Sequence, residues 1–221
     1  MTDRTTEVFV ISDLHVGGRY PAADAAPGER GFRMCTRVDA LTRFVVALAD
    51  RAGQGAPIEL VINGDFIDFL AEEHEAQRDG DDGEAGPAPF LPFLGDEPAA
   101  RRTLREIATR DAALFRALAA LVTASGRLTI LLGNHDVELS LPAVRRDLAE
   151  LLDPERSGRF AFVYDGEAYA VADAVIEHGN RYDGFNVVDH DALRRMRSLL
   201  SRRQPVPSEY MFEAPPGSRL V

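Results

Sequence analysis

The chain of 221 residues contains one cysteine, no tryptophan and, among 25 basic residues, no lysine. A single cysteine, Cys35, excludes an internal disulfide and any thiolate metal cluster, and is compatible with a reducing compartment. Without tryptophan, the core has to be built from aliphatic side chains and from phenylalanine, of which there are 12. No apolar run approaches ~18 residues, so no membrane-spanning helix is expected. The polar first seven residues lack the apolar stretch of a signal peptide. These absences lead to the expectation of a cytoplasmic protein. Histidine is also scarce, with five in all: His15, His74, His135, His178 and His190. The all-arginine cation set carries no functional signal.

The charge that is present is mostly negative, with a net −11 and a sequence pI of about 4.9. Such a field repels nucleic acid and anionic membrane at long range, so nucleic-acid partners are not expected. A phosphorylated small molecule is not excluded, because a bound metal ion dominates the local charge. Hydrophobic residues make up 45% of the chain, enough for one globular domain over residues 1–221. A homo-oligomer stays open.

Residues 129–132 form an apolar run of strand character that stops at Gly133-Asn134-His135-Asp136. Gly133 has no Cβ and is expected to let the backbone turn sharply. Taken alone, Asn and Asp after a strand are ordinary turn formers. The plan recurs, however. Residues 8–12 lead into Asp13-Leu14-His15, and residues 58–62 lead into Asn63-Gly64-Asp65-Phe66-Ile67-Asp68. Residues 174–177 lead into His178-Gly179. Strands of a parallel sheet present their carboxyl ends along one edge, where open α/β sheets bind ligands. Carboxylate oxygen and imidazole nitrogen together suit Mn, Fe, Zn or Co.

The rest of the chain reads as α/β. Helices are expected at 38–51, 99–125, 142–152 and 189–203, from apolar residues at helical spacing. Residues 17–34 read as a loop holding Arg19, Arg30 and Arg33. Residues 71–98 read as an acidic, Pro- and Gly-rich insertion, solvated or contacting a partner through Phe90, Leu91, Phe93 and Leu94. Residues 160–164, 168–172 and 175–177 are expected to form a second sheet, with Asp165-Gly166 as the turn joining the first two. His74 reads as a surface residue, His190 as the start of a helix and Asp136 as a structural cap. Residues 204–221 are Pro-rich and irregular.

In chain order the motifs are D-x-H, G-D-x-x-D, G-N-H-D and H-G, each after an apolar strand. This ordered set resembles the calcineurin-like metallophosphoesterases, over residues 8–189. The resemblance implies a two-sheet α/β sandwich flanked by helices. It implies a centre of two divalent ions, manganese favoured, that hydrolyses a phosphodiester, pyrophosphate or phosphomonoester bond. Asp65 would bridge the ions, Asp13 and His15 would hold the first, and Asn134 and His178 the second. His135 would act on the leaving oxygen, and Asp68 would orient His135.

The family normally ends its ligand set with G-H-x-H, and this sequence contains none. Three explanations stay open: a longer protein with the histidines downstream, a second polypeptide that supplies them, or a catalytically incomplete metal-binding or interaction protein. The family's phosphoprotein phosphatases carry an arginine where this chain has Phe69, which counts against that substrate class. His178-Gly179, followed by Arg181, Tyr182, Asp183 and a basic helix, is partly similar to the pyrophosphohydrolases of UDP-diacylglucosamine. That branch has arginine where this chain has His135.

Overall fold

A computed structural model describes residues 5–18, 33–72 and 95–219. Arg19, Arg30, His74 and the apolar residues Phe90, Leu91, Phe93 and Leu94 lie outside the described residues, as does most of the insertion. The first strand, β1 (Glu7–Ile11), is followed by helix α1 (Val38–Gly53) and strand β2 (Ile58–Asn63). Helices α2 (Glu97–Arg110) and α3 (Ala112–Thr123) lead to β3 (Arg127–Leu131). Then come α4 (Pro142–Leu152), β4 (Phe160–Val163), β5 (Tyr169–Val171), β6 (Ala174–Ile176) and α5 (His190–Ser201). Strands β1 to β4 form one parallel sheet in sequence order, and β5 and β6 form a separate antiparallel pair. The fold is therefore mixed α/β, as the sequence led one to expect.

Alternation along the strands divides the core into two faces. Leu60, Ile62, Leu128 and Ile130 pack with the buried residues of the helices. Val61 and Leu131 point the other way, against Ile176, with Val8, Val163, Tyr169 and Val171 around them. The helices thus cover one face of the four-stranded sheet and the β5–β6 pair covers part of the other. Residues 58–62 of β2 are all buried, which accounts for a sequence apolar on both faces around Glu59. Glu59 is tolerated because Tyr169 Oη donates to its carboxylate at 2.5 Å and Thr129 Oγ1 at 3.1 Å. That cluster fixes the β5–β6 pair on the sheet.

Two expectations are corrected. The helix read at 99–125 is two helices, broken at Asp111, whose backbone sits at φ −102°, ψ 33°. Apolar spacing runs unbroken across the site, so periodicity could not reveal the break. Asp111 is buried and pairs with Arg33 at 2.5 Å, and the break lets α3 pack on α1 while α2 packs on α4. Residues 160–163 do not join a second sheet. They extend the first one, parallel to β3, and Asp165-Gly166 carries the chain from one sheet to the other. Alternation alone cannot say which neighbour a strand pairs with.

Helix starts follow their sequence signals. Pro142 opens α4, and the Asp189 side chain accepts from the backbone N–H of Asp191 and Ala192, so His190 is the first residue of α5. Among the described residues, no helix is long and apolar enough to cross a membrane.

Replacing Tyr169 by Phe leaves the buried Glu59 carboxylate short of one donor. The expected loss of folding stability is ~1–3 kcal/mol, read from urea unfolding. An unchanged midpoint and slope would mean that the cluster does not hold the second sheet in place.

Candidate metal centre

The carboxyl ends of β1, β2 and β3 run into three loops, the first two of which are laced together by backbone hydrogen bonds. His15 N donates to Asp65 O at 2.8 Å, Val16 N to Phe66 O at 2.8 Å, and Asp68 N to Val16 O at 3.0 Å. Asp136, fully buried, ties the third loop to the second: Gly133 N donates to its Oδ1 at 2.7 Å and Phe66 N to its Oδ2 at 2.8 Å. Burial, reinforced by the nearby Asp65 charge, raises the Asp136 carboxyl to about 7. It acts as a brace between loops and not as the cap expected, since its side chain makes no cap bond to the short helix that follows.

Three site residues adopt left-handed backbone: Asp13 (φ 53°), His15 (φ 46°) and Asp65 (φ 49°). Such conformations cost ~1–3 kcal/mol each in non-glycine residues and persist where surrounding structure imposes them. Gly64, at φ 77°, is left-handed too, and a Cβ there would collide with the His178 ring. A Cβ on Gly133 would collide with the Asp65 carboxylate. Gly133 has no positive φ, and the chain bends just after it; its missing Cβ serves clearance.

The structure brings the five expected ligand residues together around Asp65. One ligand atom each from Asp13, His15 and Asp65 lie within 4.8 Å of one another. On the other side, His178 Nε2 lies 3.3 Å from Asp65 Oδ2 and 3.3 Å from Asn134 Oδ1. The second oxygen, Asp65 Oδ1, accepts from His135 N at 2.9 Å. His135 Nδ1 is 3.6 Å from Asp68 Oδ1, and His15 Nδ1 is 3.3 Å from Asp68 Oδ2. His15, Asp65, Asp68 and Asn134 are buried; Asp13 is exposed at the mouth.

The His178 ring decides what this arrangement can hold. Its Nδ1 lies 2.9 Å from the carbonyl oxygen of Asn63. A carbonyl only accepts, so Nδ1 carries a hydrogen. A neutral ring then turns the lone pair of Nε2 toward two oxygens, one of them charged. Something positive has to lie between them, either a proton or a metal ion. In the metal-free chain it is a proton. Burial opposes the charge, but the Asp65 contact outweighs it and pushes the imidazole up to about 9. The same contact helps hold Asp65 below its ordinary value against the effect of burial. These donors fit a divalent ion, which would replace that proton.

The wider charge balance agrees. Asp13, Asp65, Asp68 and Asp136 gather around His15, His135 and His178, and among the described residues no arginine pairs with any of the four acids. Phe69 is buried in the core and does not face the site. Arg33 is engaged by Asp111 and the Cys35 carbonyl. Glu72, read as part of the solvated segment, is buried and paired with Arg110 at 2.6 Å. Sequence reasoning missed the Asn63 carbonyl that sets the His178 tautomer. A backbone atom leaves no signal in residue types.

No protein-family model matches this chain, and no curated protein matches it.

Metal uptake at His178 requires loss of its proton. Its proton-bearing form is favoured up to about 9, above the ordinary 6.5, so apparent affinity is expected to rise with pH through that window and level off beyond it. The ceiling for one displaced proton is about tenfold per pH unit. Calorimetry at pH 7 in buffers of different ionisation heat should show close to one proton released at this site. Binding that releases no proton would contradict the assignment of Nε2 as a ligand.

Proposed function

We propose that the chain is a metal-dependent phosphohydrolase of the calcineurin-like metallophosphoesterase type, with the two-sheet sandwich of that family. One observation carries the reading. The Asp65 carboxylate stands between two donor sets, Asp13 with His15 and Asn134 with His178. Each set, with Asp65 counted in both, has three protein groups. Each set is one protein ligand short of the family's pattern, which G-H-x-H would complete. Manganese, iron, zinc and cobalt all suit mixed carboxylate, amide and imidazole donors, and manganese is favoured.

When bound, such ions supply Lewis-acid activation of a phosphoryl group and of water. The chain's own groups supply the rest. Asp65 fixes the spacing of the two donor sets. Asn134 adds an oxygen donor without adding charge. His135 is held beside them by its own backbone N–H, which donates to Asp65. Burial opposes the charged form of its ring, yet Asp68 and Asp65 outweigh that and raise its pKa. A raised imidazole is a competent general acid near neutral pH, placed to protonate the leaving oxygen.

The acidic surface and the buried Phe69 favour a small phosphorylated substrate over nucleic acid or a phosphoprotein. The bond cleaved is a phosphodiester, pyrophosphate or phosphomonoester. A second reading, a metal-binding scaffold without turnover, rests on the lack of G-H-x-H in the sequence. Hydrolysis of bis-nitrophenyl phosphate by the metal-loaded protein separates the two, since the scaffold reading predicts none.

His135→Ala should keep the metal and lower kcat on an alkyl ester substrate by about 10²–10⁴, the usual share of a general acid. The loss should shrink on a nitrophenyl ester, whose leaving group needs no proton. Equal losses on both substrates would refute the acid role.

A further inference from the structure

Asp68 is almost wholly buried, and its two oxygens are engaged differently. Oδ1 accepts from the backbone N–H of Leu70 at 3.1 Å and of Ala71 at 3.2 Å. It also lies 3.6 Å from His135 Nδ1. Oδ2 has no backbone donor. It faces His15 Nδ1 at 3.3 Å, the shorter of the two imidazole contacts. His15 Nδ1 and Asp68 Oδ2 are both shut off from water, and neither makes a hydrogen bond, the close but misaligned contact between them included. The rings of His15 and His135 meet edge to face, with centroids 4.7 Å apart, so that one carboxylate reaches both.

Two buried atoms this close can satisfy each other, after a small rotation of either side chain, in one way only. The ring nitrogen has to carry a hydrogen that the rotation aims at the carboxylate. The alternative would set a lone pair against a buried anion with no water to separate them, which is strongly unfavourable. With the hydrogen on Nδ1, the neutral His15 ring keeps its lone pair on Nε2. That nitrogen lies on the Asp65 side, 3.8 Å from Oδ2.

We propose that Asp68 is a positioning residue for His15 as well as for His135, fixing the His15 tautomer that turns Nε2 toward Asp65. The consequence for metal binding rests on the phosphohydrolase reading; the tautomer does not. Carboxylates behind a ligating imidazole orient the ring and raise its basicity, and their loss costs about 10–100-fold in metal affinity. Asp68 thereby couples two tasks that the sequence assigns to different residues. His135 should matter for turnover alone, and Asp68 for turnover and metal retention together.

Asp68→Asn is the decisive variant. Its amide oxygen can still accept from Leu70 and Ala71, so the turn survives. Its NH₂ group replaces Oδ2 and cannot accept from His15. Long-range ¹⁵N–¹H correlation spectra of the metal-free protein at alkaline pH report the tautomer directly. Wild type should show His15 protonated at Nδ1, and Asp68→Asn should move that hydrogen to Nε2. Zn²⁺ affinity should fall about 10–100-fold in Asp68→Asn and stay within about twofold of wild type in His135→Ala. An unchanged His15 tautomer in Asp68→Asn overturns the proposal. So does a Zn²⁺-loaded spectrum in which Nδ1 is the coordinated nitrogen. If Asp68→Asn does not fold, the wild-type spectrum decides alone, since an Nε2-protonated His15 there overturns the brace. A wild type with the expected tautomer but no Zn²⁺ uptake contradicts the phosphohydrolase reading and leaves the brace standing.

Discussion

The structure depends on where one carboxylate can be placed. Asp65 is buried, left-handed in its backbone, and pressed so closely against Gly133 that no side chain could stand there. Its oxygens are shared among the backbone N–H of His135 and the imidazoles of His178 and His15. Each neighbour that approaches it comes from a different loop. The carboxylate thus sets the relative position of three strand ends and of the segment after β6. The parallel sheet supplies the coarse alignment, and the Asp136 brace completes it by tying the loop after β3 to the loop after β2.

This concentration of acids has an electrostatic consequence. Burying carboxylates without compensation is expensive, and the basic side chains among the described residues at this site are three imidazoles. The pKa displacements point the same way. Asp136 is raised by burial and by Asp65. Asp68 is lowered to about 2, because contacts with His135 and His15 outweigh burial. His178 is raised by Asp65. Protons occupy positions in the metal-free chain that a divalent cation would fill with stronger charge and better geometry. The strained backbone at Asp13, His15 and Asp65 fits the same account, because local strain of this kind collects where side chains must be aimed.

Much of this was legible in the residues. The ends of β1, β2 and β3 fall within one residue of where apolar runs meet polar clusters, since a buried strand has to be apolar and a site has to be polar. Asp13, His15, Asp65, Asn134 and His178 were readable for the same reason. What stayed hidden was tertiary. The break at Asp111 follows from a contact with Arg33, distant in sequence. The pairing of residues 160–163 with β3 depends on competition between two sheets. The Asn63 carbonyl that sets the His178 tautomer is backbone. The role of Gly133 depends on what approaches it, and its own conformation gives no sign of that.

The central proposal is that Asp65 would serve two ions at once. Titrating the purified protein with Mn²⁺ and recording electron paramagnetic resonance tests it most directly. Two ions bridged by one carboxylate sit ~3.5–4 Å apart, close enough for their spins to couple. The account predicts two Mn²⁺ per chain with an exchange-coupled spectrum. A single bound ion, or two ions with uncoupled signals, would contradict it.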